Sequence, residues 1–369
     1  MKRWGRFAAV AICLTVAFSL LFGLNGQAQN AGYHQIALIQ LPGIPPQSGS
    51  FSYDISWVDP STHRYYLADR SGNGIDVVDT KTNRFLYRMA QGQFVGNTGK
   101  TDTSGPDGIL VIADQQIAWV GDGKSRVKAI DVRTGLVLTT ISTGTTNNRA
   151  DELAYDPVDH LIAVANNADD PPFVTFISTT DRRAVGKIVY TDATDGVEQA
   201  VYEPVSRMFY LSVPATKAEP GGRIDRIDPK TMQIAARFPV SNCHPGGLTV
   251  GPRQQLLIGC SEIYAEGHAQ SIVIDARDGH VVAAVQEVGA SDEVWYNSGD
   301  NHYYLAARNM TANGMKGGTV TPVLGIVDAS TNRWIQNLPT GAAAHSVAVD
   351  PTNNHIFVPV PNGIAVFSL

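Results

Sequence analysis

Cysteine is scarce in this chain of 369 residues: there are three, Cys13, Cys243 and Cys260. So few cannot supply a disulfide framework, and the fold must be held by other means. Charge is scarce too, at 17% of residues with a formal net of -6, and no cluster of Lys and Arg interrupts the sequence. Nucleic acid and anionic lipid are bound through such clusters, so neither is expected as a partner. After one apolar run near the start, Phe7 to Leu24, no stretch is long and apolar enough to suggest a membrane span. The text also lacks a glycine-rich phosphate loop, a C-x-x-C-H haem attachment and any nucleophile elbow or Ser-His-Asp motif. Nucleotide, haem and covalent catalysis are therefore not signalled.

The early apolar run follows Lys2, Arg3 and Arg6 and ends in Gly26-Gln27-Ala28, the pattern of a secretory signal covering residues 1–28. A retained anchor is the other reading of that run. With the leader removed, residues 29–369 form an exported chain, periplasmic or extracellular, and the loss of three positive charges takes the net charge from -6 to -9. Cys13 leaves as well. The remaining Cys243 and Cys260 lie at the ends of two successive strand-like runs joined by a turn, and an oxidising compartment favours their disulfide. A Cys/His metal site with His244 is the alternative.

What the chain has in abundance is repetition. Anchored on Asp54, equivalent positions recur at Asp107, Asp151, Glu198, Gly246, Asp292 and His345, with spacings of 53, 44, 47, 48, 46 and 53. Each of the seven units carries short runs rich in Val, Ile, Tyr and Thr, bounded by Asp, Asn, Gly and Pro. Such runs are strands joined by tight turns, and four per unit make a propeller blade. The last unit ends at GIAVFSL after three strands, and IALIQLPG near the start of the expected mature chain can supply its fourth. The expectation is an all-β, seven-bladed β-propeller of four-stranded blades in a single domain, its ring closed by the N-terminal strand.

The segments YYLADRSGNGIDVVDTKTN, LIAVANN, SIVIDARDG and LGIVDASTN resemble the second and third strands of YVTN-family propellers, although the literal YVTN tetrapeptide is absent. That resemblance covers nearly the whole mature chain and implies the fold rather than an activity.

Around the ring the anchor reads Asp54, Asp107, Asp151, Glu198, Gly246, Asp292, His345, with His244 beside the glycine. Five acids and a histidine converging on one rim would repel one another unless a cation joined them. Hard oxygen donors suit Ca²⁺ or Mg²⁺; His345 and His244 with one or two carboxylates would suit Zn²⁺. The plain alternative is that these acids are turn residues accepting backbone N–H bonds, the role expected of Asp59, Asp156 and Asp350 before their turns. The phrases ADELAYDP and SDEVWYNS repeat an acidic pair, Asp151-Glu152 and Asp292-Glu293, three blades apart. They should face each other across the channel, and strand alternation predicts that only one member of each pair enters it.

Ends of the second strands, Asp69, Asp122, Asn166, Glu262 and Arg308, are expected near the same face as a second tier able to bind a ligand. Insertions at TKAEPGGR, YAEGHAQ and NMTANGMKGG mark loops that could carry binding. Two functions remain open: an exported, monomeric binding or scaffold propeller that holds a divalent cation, a small molecule or a protein at the channel face, or a metal-dependent hydrolase of lactonase type with Glu152 or Glu293 as general base.

Overall fold

The computed structural model describes residues 1, 32–44, 51–265 and 267–369. The expected leader lies, beyond Met1, outside the described residues. From Tyr33 to Leu369 the chain forms one compact unit of seven four-stranded antiparallel sheets, a seven-bladed β-propeller. Within each of the first six blades the strands follow in sequence order; the first blade, for example, runs Tyr53–Asp59, Arg64–Asp69, Gly74–Asp79, Arg84–Met89.

The first strand of each blade is innermost, since these strands touch their counterparts in both neighbouring blades around the whole ring. They are Tyr53–Asp59, Ile109–Ile112, Leu153–Asp156, Ala200–Glu203, Pro245–Val250, Val294–Asn297 and Ala348–Asp350. Burial then falls outward as the sequence dictates. Third strands such as Gly74–Asp79 are buried on both faces, whereas the outermost strand Gln233–Pro239 alternates exposed and half-buried positions up to the buried Phe238. The core lies between blades rather than within one: Trp119 of the second packs with Leu153 and Ile162 of the third, and Tyr65 of the first stacks on Phe357 of the seventh at 5.0 Å.

Ring closure follows the sequence expectation. The segment His34–Ile39 pairs with Gly363–Ser368, Ile39 opposite Ile364, and completes the seventh blade. Each edge of that pair would otherwise offer unpaired backbone groups to another chain. The aspartates expected in turns are there: Asp59 accepts from the Ser61 N–H at 3.0 Å, Asp156 from Val158 at 2.8 Å and Asp350 from Thr352 at 2.9 Å. Cys243 and Cys260 form the disulfide, across the pairing of Pro245–Val250 with Gln255–Cys260, with their Cα atoms 4.4 Å apart. Among the described residues no helix is long and apolar enough to cross a membrane.

Candidate functional site: the acidic end of the axial channel

The anchor residues sit where each innermost strand begins, and there five of the seven border a cavity of about 300 Å³. Asp54, Asp151, Glu152, Glu198, Asp292, Glu293 and His345 line it, together with Arg70, Arg149 and Arg308. Both members of each acidic pair reach this space, which corrects the expectation from strand alternation. The regular strands begin only at Leu153 and Val294, so the pairs precede them, and the two-residue period does not yet govern their side chains.

One side of the ring is neutralised by arginines. Arg70 donates from Nη2 to Asp54 at 2.6 Å and to Asp107 at 2.5 Å. Arg149 bridges Asp54 at 3.1 Å and Asp151 at 2.5 Å. His345 stacks on the Tyr53 ring and lies 3.3 Å from Asp54. Burial alone would push Asp54 up, yet Arg70 and Arg149 hold its carboxyl well below the usual carboxylate range. Asp107 is fully buried behind Arg70 and does not line the cavity.

On the other side the cover is incomplete: Arg149 engages one oxygen of Asp151 and leaves the other unpartnered. Ligand oxygens of Asp151, Glu152 and Glu198 lie within 4.8 Å of one another, and Asp151 Oδ1 and Glu152 Oε2 are buried without a hydrogen-bond partner. Glu293 lines the same cavity, and its charge disfavours ionisation of Glu152. Burial, and then the neighbouring carboxylates, push Glu152 and Glu293 well up. Burial also lifts Glu198 to about 8, and lifts Asp151 to about 7 against the pull of Arg149. Arg308 engages Asp292 at 2.8 Å at the edge of the cavity.

The second tier is displaced by one residue. Arg308 faces the cavity, and the equivalent residue of the first blade is Arg70 rather than Asp69; in the third blade it is Asn167, which donates to Asp151 at 2.8 Å, rather than Asn166. A shift of one position along a strand turns a side chain to the opposite face. Asp69 accordingly pairs with Arg88 at 2.5 Å beside Asp76, Asp122 pairs with Arg126 at 2.8 Å, and Asn166 bonds Thr143 and Thr175. Glu262 is exposed and outside the cavity. His244 turns away from the acids of the ring and contacts Ser261 and Asp195.

Sequence reasoning missed Arg70 and Arg149. A signal existed, since Arg149 stands two residues before an anchor acid and Arg70 directly after a strand end, and a buried acidic ring requires cations nearby. It also missed the character of the opposite mouth. There a cavity of about 420 Å³ is lined by Trp57, Tyr155, Tyr202, Trp295, Tyr296 and aliphatic side chains, with the two indoles in edge contact at 5.3 Å. The channel is thus ionic at one end and aromatic at the other.

No family model matches the chain, and no curated protein is similar to it in sequence. Solved structures resemble it in fold. A chain of "Kuenenia stuttgartiensis Hydrazine Synthase" superposes with a TM-score of 0.68 at 14% identity, over 91% of this chain and 98% of that one. A chain of the "Mitotic Checkpoint Complex" superposes with a TM-score of 0.68 at 13% identity, over 96% and 98%. At such identities the likeness concerns the propeller alone.

Proposed function

We propose that the protein is an exported binding propeller of the YVTN-like group whose ionic channel end takes a divalent cation between Asp151, Glu152 and Glu198. The observation that carries this reading is the asymmetry of the ring. Arg70 and Arg149 engage Asp54, Asp107 and one oxygen of Asp151, whereas ligand oxygens of Asp151, Glu152 and Glu198 lie within 4.8 Å of one another, and Asp151 Oδ1 and Glu152 Oε2 are buried without a hydrogen-bond partner. The donor set is all oxygen, which fits Ca²⁺ or Mg²⁺ better than Zn²⁺. His345, stacked on Tyr53 and turned to Asp54, belongs to the arginine side. A dication would displace the protons that burial and mutual repulsion keep on these groups, so binding weakens as pH falls. The remaining cavity volume and the half-exposed Arg308 leave room for a small molecule or a protein side chain on the same face.

Metal content of the mature protein, purified without chelator, tests this reading by mass spectrometry. A near-stoichiometric ion lost from Glu152→Gln/Glu198→Gln supports it; absence of any ion from the wild type, with no uptake at millimolar Ca²⁺ or Mg²⁺, overturns it.

A metal-dependent hydrolase is the second reading, favoured by Glu293, which lines the same cavity as Asp151, Glu152 and Glu198. A cation at Asp151, Glu152 and Glu198 would lower the cost of ionising Glu293 and leave it as a base for metal-bound water. Metal-dependent turnover of lactones, abolished in Glu293→Gln, would select this reading over simple binding.

A further inference from the structure

At the one blade whose anchor is a glycine, three side chains form a relay. Ser261 Oγ lies 2.9 Å from His244 Nδ1, and His244 Nε2 lies 2.8 Å from Asp195 Oδ2. These come from three separate stretches of chain, which is why no motif announces them. The disulfide joins Cys243 to Cys260, the residues immediately before His244 and Ser261, and so fixes base and hydroxyl relative to each other. His244 is held in the left-handed backbone region at a φ of 56°, a conformation costly for a residue with a side chain unless its surroundings enforce it.

Gly246 opens the wall here: a Cβ on it would lie 3.4 Å from Ser261 Cβ and 3.7 Å from Asp292 Oδ1. Ser261 is itself partly exposed. Above it the two inserted loops meet, Tyr264 donating to the Pro220 carbonyl at 2.9 Å.

We propose that Ser261 is a nucleophile, His244 its general base and Asp195 a positioning residue, together cleaving small carboxylic esters. In the tautomer with its proton on Nε2, His244 donates to Asp195 and leaves the Nδ1 lone pair toward Ser261. The ring nitrogens exchange the roles they have in the familiar serine triads, with no change in the chemistry. Ser261 Oγ also lies 2.8 Å from the His244 carbonyl oxygen. Its hydrogen passes from that acceptor to Nδ1 by rotation about the Cβ–Oγ bond, without movement of any heavy atom.

In the first step an Oγ lone pair bonds to the acyl carbon, the carbonyl π pair moves onto oxygen, and the Oγ proton passes to Nδ1. Collapse of the adduct breaks the bond to the leaving alcohol, which takes the proton from Nδ1, and leaves an acyl-serine. Water, deprotonated by the same nitrogen, then releases the carboxylic acid and restores Ser261. Asp195 is two-thirds exposed, its side chain 65% accessible, so solvent screens its charge and its effect is smaller than that of a buried triad aspartate.

Incubation of the disulfide-intact protein with a fluorophosphonate, in chelator so that the cation site plays no part, provides the test. The expected result is one adduct per chain, mapped to Ser261 and absent from Ser261→Ala. Labelling should slow at least 100-fold in His244→Gln. In Asp195→Asn, kcat for p-nitrophenyl acetate should fall roughly 10-fold with KM unchanged, and Asp195→Glu should restore it. Reduction of the disulfide should slow labelling of the wild type. No adduct at Ser261 in the folded wild type overturns the proposal. So does labelling of His244→Gln at the wild-type rate, with an unchanged melting curve excluding misfolding as the cause of any loss.

Discussion

Glu152 and Glu293 stand 141 residues apart, three blades from each other, yet both line one cavity. The meeting is a consequence of ring geometry. Three steps around seven carry a repeated phrase nearly to the opposite side of a narrow axis, so the two copies converge there. Glu152 Oε2 is buried there without a hydrogen-bond partner.

A pH dependence of stability follows. Glu198 and Asp69, raised to about 8, and Asp151, raised to about 7, bind protons more tightly in the folded chain than in the unfolded one. Their contribution is fully present below the unfolded carboxyl values and is lost as pH rises through 7 to 8. The Tm of cation-free protein should therefore rise as pH is lowered from 8 to 5. Differential scanning calorimetry in chelator checks this, and a Tm that falls over that interval contradicts it.

Arg149 is buried between Asp54 and Asp151. Its replacement by Met would leave buried carboxylates without their cation, at a cost of about 3–5 kcal/mol. Arg149→Lys should recover only part of this, because an ammonium cannot serve two carboxylates in the planar geometry of a guanidinium. Urea denaturation of the two variants measures both effects.

The disulfide closes a loop with a sequence separation of 17. Its loss in Cys243→Ser/Cys260→Ser should cost about 3 kcal/mol, the value for a loop of that length. Denaturation under reducing and non-reducing conditions should show the difference for the wild type and none for the double variant.

Deletion of residues 1–40 removes the strand His34–Ile39 and bares the Gly363–Ser368 edge, which is otherwise covered. Self-association is the expected outcome, because an exposed strand edge is a template for pairing. Size-exclusion chromatography should show oligomers for the truncated chain and a single species for the longer one.

The fold was legible because each unit repeats its turn residues and β-rich runs at a near-constant spacing, and the ring-closing strand declared itself by an ending like that of a fourth strand. The ionic cavity was legible only in its acids. Anchor positions could be superposed, but Asp69 and Asn166 differ from Arg70 and Asn167 by a single position, and on a strand that decides which way a side chain points. Arg149 lies outside the repeated phrase, in a loop. The Ser261, His244 and Asp195 contacts had no motif to signal them: His244 and Ser261 meet through the pairing of two strands and the Cys243–Cys260 bond, and Asp195 comes from a separate stretch of the chain.

The proposed function stands on a cation held by Asp151, Glu152 and Glu198. Calorimetric titration of chelator-stripped protein with Ca²⁺ at pH 8, repeated with Glu152→Gln, tests it most directly. The account predicts one site per chain for the wild type, proton release on binding, and an affinity at least 10-fold weaker in the variant. No heat and no Tm shift in the wild type at millimolar Ca²⁺ or Mg²⁺, or equal binding by Glu152→Gln, would contradict it.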